Sequence, residues 1–302
     1  MSPESPLVTE GIEAPSSSPP SRASWAADTH ADTFDYQRFV PGAVYRRIVE
    51  SFNEAKLLRE AVPRGRDVTL LEIGCATGEL CRYVTRRYPH VTYVGADISA
   101  PAITRAREKF GARGRFLMAG PDLEGLGEVR ADIVFCRDVV HHQPDPLRFL
   151  AALYALAGEQ LIVRTRTKDH GPTEWDPERS CQYHAGSWVP YIVWNCDELI
   201  AALRGLTPAP SRIRLLKQPM ILGGRDARYL PKDCYRSETG TAESALLIQK
   251  GSSSGGHPVV EVEVRREARG TWAWWSLQTL AWTGASVMRW IAGTAYRGPT
   301  WW

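Results

Sequence analysis

From Val68 onward, short apolar runs alternate with segments whose apolar residues recur every three or four positions. VTLLEIG (68–74) predicts a buried strand closed by glycine, and GELCRYVTRRY (78–88) a helix with Leu80, Val84 and Tyr88 on one face. HVTYVGAD (90–97) predicts a second strand. PAITRAREKFG (101–111) predicts a helix, with proline early and glycine just past its end. RFLMAG (115–120), ADIVFCRD (131–138) and EQLIVRTRT (159–167) read as the third, fourth and fifth strands, with the helix DPLRFLAALYALAG (145–158) between the last two. This alternation predicts a doubly wound α/β fold, a mostly parallel sheet with helices on both faces. Further along, CDELIAALRG (196–205) predicts a helix, RIRLLKQP (212–219) and SALLIQK (244–250) two more strands, and VVEVEVR (259–265) an exposed strand. Upstream, residues 34–61 carry a helical stripe of Tyr45, Ile48, Val49, Phe52, Ala55, Leu57 and Leu58, broken at Pro63 and Gly65.

Composition adds bounds to this picture. The chain has 302 residues, enough for one large core with appended segments. A net charge of +3 is too balanced to argue for a nucleic-acid partner. The six cysteines form no C-x-x-C pair and read as buried free thiols of a cytoplasmic protein. The Pro/Ser-rich start lacks an apolar secretory core, and residues 1–28 read as a disordered leader. The expected organisation continues with an N-terminal helical cap (29–65), a catalytic domain (66–250), a flexible linker (251–258) and a C-terminal appendage (259–302).

The chemistry begins where the first strand meets its helix. In LEIGCATGEL, Gly74 and Gly78 bracket a tight turn, where glycine lets the backbone approach a ligand. A dinucleotide-binding fingerprint needs G-x-G-x-x-G, and Ala76 stands where its second glycine should be. The string instead resembles the first motif of class I S-adenosylmethionine-dependent methyltransferases. That resemblance implies a seven-stranded sheet, whose sixth and seventh strands form a hairpin antiparallel to the rest. It implies S-adenosylmethionine as cofactor, with Glu72, Gly74, Cys75, Ala76 and Gly78 lining the methionine end. Asp97, closing the second strand, reads as a turn or cap residue in isolation; the resemblance makes it the ribose ligand, with Ile98 beside it. After the third strand, MAGPDLEGL has Pro121 between the glycine and aspartate that the family usually joins. Asp122 and Leu123 are then the implied adenine contacts, or Asp122 caps a short helix. DIVFCRDVVHHQPDP resembles the family's segment after its fourth strand, which implies backbone contacts from Cys136 and Arg137 to the cofactor. His141 and His142 would face the reacting centre, either as a base for a hydroxyl or amine acceptor or in a structural role. These motifs span roughly residues 66–167 and identify the cofactor better than the acceptor.

Residues 168–195 are rich in tryptophan, tyrosine and histidine, with little periodicity. So many aromatics are costly to leave in water, so the segment reads as an ordered acceptor pocket and lid. His170, Trp175, Tyr183 and His184 are its candidate substrate contacts, and FDYQRF (34–39) a segment closing over the same site. No metal is expected, because no third ligand accompanies His170 and His184 at a suitable spacing. The implied activity is methylation of a small or medium-sized acceptor at oxygen, nitrogen or carbon. The alternatives are a different reaction on this fold and a non-catalytic cofactor-binding partner subunit. Seven of the eleven tryptophans lie beyond residue 270, and TWAWWSLQTLAWTGASVM (271–288) carries no charge. That tail is expected to be an interaction appendage, through homo-oligomer formation or peripheral membrane contact.

Overall fold

The computed structural model describes residues 42–127, 129–184, 187–223, 228–251 and 257–265. The leader, the FDYQRF segment, most of the linker and the Trp-rich tail beyond Arg265 lie outside the described residues. The chain enters through α1 (Gly42–Ser51) and α2 (Asn53–Ala61). Five strands follow: β1 (Val68–Ile73), β2 (Val91–Asp97), β3 (Arg115–Met118), β4 (Ala131–Arg137) and β5 (Ala157–Lys168). They are connected through α3 (Glu79–Arg87), α4 (Ala100–Phe110) and α5 (Pro146–Leu156) and pair in parallel in the order β3-β2-β1-β4-β5. The helix starts are chemically marked. Ser99 accepts from the Ala102 N–H and Asp145 from the Arg148 N–H, each satisfying a backbone donor of the first turn.

Beyond β5 come β6 (Cys181–His184), β7 (Ser187–Pro190), β8 (Val193–Asn195), α6 (Cys196–Arg204) and β9 (Pro210–Pro219). β10 (Arg228–Tyr229), β11 (Ala242–Lys250) and β12 (Val259–Val264) complete the described elements. β11 lies antiparallel to both β5 and β9. β9 therefore runs with β1–β5, so only β11 opposes the others; the expectation that both late strands do so is corrected. β12 adds to the outer edge of β9 in parallel, so Val259–Val264 is part of the main sheet. β5 is long enough to outrun β4, and β8 pairs with its protruding end at Arg166–Lys168.

Apolar residues of α1–α4 and one face of the sheet form one core, including Leu57, Leu80, Ile103 and Ile162. α5 and α6 cover the other face, with Phe149, Leu199, Leu161 and Trp194. A third, smaller core joins Tyr191 and Val193 to Leu222, Leu230 and Cys234. The segment expected as an unpatterned loop thus holds the β6–β7 hairpin, and β10 extends it into a three-stranded sheet. Strands of two to four residues are too short to show a period, and β10 comes from a distant part of the chain. All six cysteines are free and buried. Among the described residues, no helix is long and apolar enough to cross a membrane.

Candidate active site

The turn after β1 is shaped by three left-handed residues, Gly74, Ala76 and Gly78. At Gly74, φ is +79° and an added Cβ would sit 2.3 Å from Val139 Cγ2; at Gly78, φ is +80° and it would meet the Phe116 ring at 2.8 Å. Neither position accepts a side chain without strain. The turn is tied to β2: Gly74 and Cys75 donate backbone N–H groups to the Ala96 carbonyl, and Ala76 donates to Asp97 Oδ2 at 2.8 Å. Ser99 donates to Asp97 Oδ1 at 2.9 Å. Burial raises the Asp97 pKa, and the backbone donors from Ser99 and Ala76 oppose that rise. Each carboxylate oxygen keeps a second acceptor direction, as a vicinal diol requires.

Glu72, at the end of β1, is buried and accepts a hydrogen bond from the Tyr93 hydroxyl. Burial pushes its pKa up to about 7, against the opposing effects of Tyr93 and Arg137. Asp122 and Leu123 follow β3 in a series of turns with no helix, so the helix-cap reading of Asp122 is corrected. Asp122 is exposed and lies 3.9 Å from an Arg148 nitrogen, while the Glu124 carboxylate accepts from its backbone N–H. Ile98 is half-buried directly after Asp97.

After β4, the chain turns through Asp138 at φ +59° into a short 3₁₀ turn, Val140–His142. Cys136 is buried in the core under α5 and α6, and Arg137 lies on the opposite face, 3.9 Å from Glu54. The two histidines then part ways. His141 is 1% exposed and its Nδ1 has no hydrogen-bond partner among the described residues, and burial holds its pKa well below the usual imidazole value. His142 is half-buried and its Nδ1 is 2.7 Å from the Pro190 carbonyl oxygen. A carbonyl only accepts, so Nδ1 carries the proton and Nε2 is the nitrogen that exchanges one.

The aromatic segment reaches these rings through Tyr191, which packs edge-on against His141 and His142 at 5.1 and 5.6 Å. Its hydroxyl accepts from Arg166 Nε at 2.9 Å, and Arg228 lies 4.5 Å from its ring centroid. The four residues singled out from sequence lie elsewhere in the insertion. His170 is exposed and its backbone N–H donates to the Thr239 carbonyl. Trp175 packs edge-on against Trp194, and Tyr183 against Trp188. His184 ends β6 opposite Ser187.

The sequence reading missed an ion network under α2. Arg164 and Arg166 alternate on one face of β5, continuing the apolar row of Ile162. Arg164 pairs with Glu54 at 3.2 Å, Glu243 at 2.5 Å and Asp138 at 3.4 Å. Arg166 pairs with Asp138 at 2.8 Å and Glu243 at 3.3 Å. A small cleft opens beside it, among Phe52, Glu54, Arg164 and Glu243. The signal was present in R-T-R-T, where charge at every second position of a buried strand demands partners, but those partners come from three separate segments.

The Gly-bracketed turn and the acidic end of β2 lie at the C-terminal ends of parallel strands, the edge where doubly wound α/β domains hold their ligands. Comparison with known proteins is more specific. Residues 71–160 match the family model of a methyltransferase domain. Over 136 residues the chain is 36% identical to an uncharacterised methyltransferase of Mycobacterium tuberculosis, covering 44% of this chain and 64% of that one. Over 120 residues it is 27% identical to a malonyl-[acyl-carrier protein] O-methyltransferase of Legionella pneumophila, covering 39% of each. The chain therefore spans less than two thirds of the length of these curated relatives. In structure it resembles phosphoethanolamine N-methyltransferase 2 of Haemonchus contortus in complex with S-adenosyl-L-methionine. The TM-score is 0.50 at 14% identity, over 75% of this chain and 58% of that one. Residues 71–160 thus match a methyltransferase domain, set in a doubly wound α/β fold shared with that structure.

Proposed function

We propose that this protein transfers a methyl group from S-adenosylmethionine to an oxygen, nitrogen or carbon of a small or medium-sized acceptor. The observation that carries the reading is the Ala76 N–H to Asp97 bond, which joins the glycine-bracketed turn to the acidic end of β2. Glu72, Gly74, Cys75, Ala76 and Gly78 would hold the methionine end, Asp97 and Ile98 the ribose, Asp122 and Leu123 the adenine, and the Cys136–Arg137 backbone the remaining edge. Bound there, S-adenosylmethionine would supply an electrophilic methyl group on a sulfonium. The chain's own part is to hold the acceptor in line, exclude water and take its proton. His142 takes the proton through Nε2, and His141 supports its ring from the buried side. Tyr191 would border the acceptor beside the two histidines, with His170, Trp175, Tyr183 and His184 of the same insertion as its outer contacts. Calorimetry tests the reading: S-adenosylmethionine and S-adenosylhomocysteine bind and NAD does not, and a mass shift of one methyl group appears on the acceptor. Binding of NAD in their place would falsify it.

The six buried thiols fit a reducing compartment, and we place the protein in the cytoplasm. We assign residues 266–302 to contact with a second copy or a membrane surface. The tail leaves from Arg265, whose N–H donates to the Lys217 carbonyl and whose guanidinium donates to the Ser51 carbonyl, each at 2.8 Å. Because β12 runs with β9 and β5, this departure point is on the sheet edge that carries the site. Truncation after Arg265 should leave S-adenosylhomocysteine affinity unchanged while abolishing self-association or binding to anionic vesicles. Loss of cofactor binding on truncation would put the tail inside the catalytic unit.

A further inference from the structure

We propose that Asp138 recognises the acceptor: its carboxylate, clamped by Arg164 and Arg166, accepts a hydrogen bond from the reacting O–H or N–H, so the acceptor is a hydroxyl or amine compound and not a carboxylic acid. This rests on the methyl-transfer reading and narrows it. Asp138 stands at the C-terminal end of β4, between Arg137 on the cofactor side and the His141–His142 turn. Its φ of +59° is a left-handed conformation, one that aspartate adopts more readily than most side chains but still uncommonly. Such a conformation is retained where the surroundings over-determine the residue, and here two arginines do so.

The side chain is the most open of its network. It is 34% exposed, whereas those of Arg164 and Arg166 are 9% and 8% exposed. Both arginines reach the same oxygen, Oδ1, at 3.4 and 2.8 Å. Among the described residues, the closest approach of each arginine is to Oδ1, and the hydrogen bond from Arg166 is likewise made to Oδ1. Pairing with the arginines thus engages Oδ1 first, while the side chain as a whole stays one third exposed. Burial acts to raise the Asp138 pKa, but Arg164 and Arg166 outweigh it and hold the carboxyl well below the usual range. The group is therefore a permanent anion and a poor base. It accepts a hydrogen bond from a neutral hydroxyl on binding, and the O–H then turns to His142 Nε2, which takes the proton as the methyl transfers; an ammonium pairs with it through one N–H while His142 takes another proton. A carboxylate acceptor would meet like charge in a partly desolvated site.

The test uses the full chain loaded with S-adenosylhomocysteine and three probes of similar shape: benzylamine, benzyl alcohol and benzoate. Their binding is followed by ligand-observed NMR titration. Benzylamine and benzyl alcohol should bind at least about tenfold more tightly than benzoate, the scale of one hydrogen bond to a charged group. In Asp138→Asn this gap should close to about threefold or less while S-adenosylhomocysteine affinity holds. The ranking in the unaltered protein stands even where the variant fails to fold. Benzoate binding as tightly as benzylamine, an Asp138→Asn variant with the same ranking, or binding of no probe overturns the role of Asp138. Failure of S-adenosylhomocysteine itself to bind overturns the methyl-transfer reading instead.

Discussion

Asp97→Ala is expected to weaken S-adenosylmethionine binding by about a hundredfold or more, as measured by calorimetry. Two effects add. Hydrogen bonds from ribose hydroxyls to a charged carboxylate contribute about 1.5–3 kcal/mol each. The same carboxylate also accepts from the backbone N–H groups of Ala76 and Ser99, so its removal frees the turn that would hold the methionine end. Gly74→Leu should act on the same site by sterics. A Cβ there meets Val139 at 2.3 Å, in a conformation that already excludes side chains. Asp97→Ala should keep its fold, because the strand beneath it is fixed by β1 and β3 on either side. Circular dichroism checks this. Parent-like affinity in both variants would mean that the cofactor binds elsewhere.

His142→Ala should lower turnover by about 10²–10⁴-fold, the usual worth of a positioned general base. Cofactor affinity should change by about threefold or less, since the ring is held by Pro190 and Tyr191 and not by the turn after β1. His141→Ala should behave differently. Its ring is buried between His142 and Tyr191, so its loss leaves a cavity that lowers the melting temperature and misplaces His142. Single-turnover transfer rates, with cofactor affinity measured separately, distinguish the two. Turnover unchanged in His142→Ala would remove histidine base catalysis from the mechanism.

The two variants probe parts of the site that were legible to different degrees. The turn at Gly74–Gly78 and Asp97 could be read because its residues are local: one strand, one turn and the next strand contain everything that shapes it. Asp138 and Tyr191 could not. Asp138 looks like any polar residue after a strand until Arg164 and Arg166 are seen on its carboxylate. Tyr191 was one of several aromatics in its segment, and Trp175 and Tyr183 looked equally suited to the acceptor. The structure sets Tyr191 against both histidines because the Ile192 N–H donates to the His141 carbonyl at 2.8 Å, pinning the chain there.

By itself, the sequence determined the alternation of strands and helices, their near-correct bounds and the glycine-bracketed turn that ends beside Asp97. Hydrophobic period, glycine placement and helix caps act within a few residues, so the chain carries them openly. The tertiary structure alone decided what crosses between segments. It turned only β11 against the sheet, brought β12 onto β9, and built the insertion from β6, β7 and the distant β10. It also gathered Glu54, Asp138, Arg164, Arg166 and Glu243 from four stretches of chain. A buried charge must find its partner wherever the fold brings one within reach, and no local pattern says where that is.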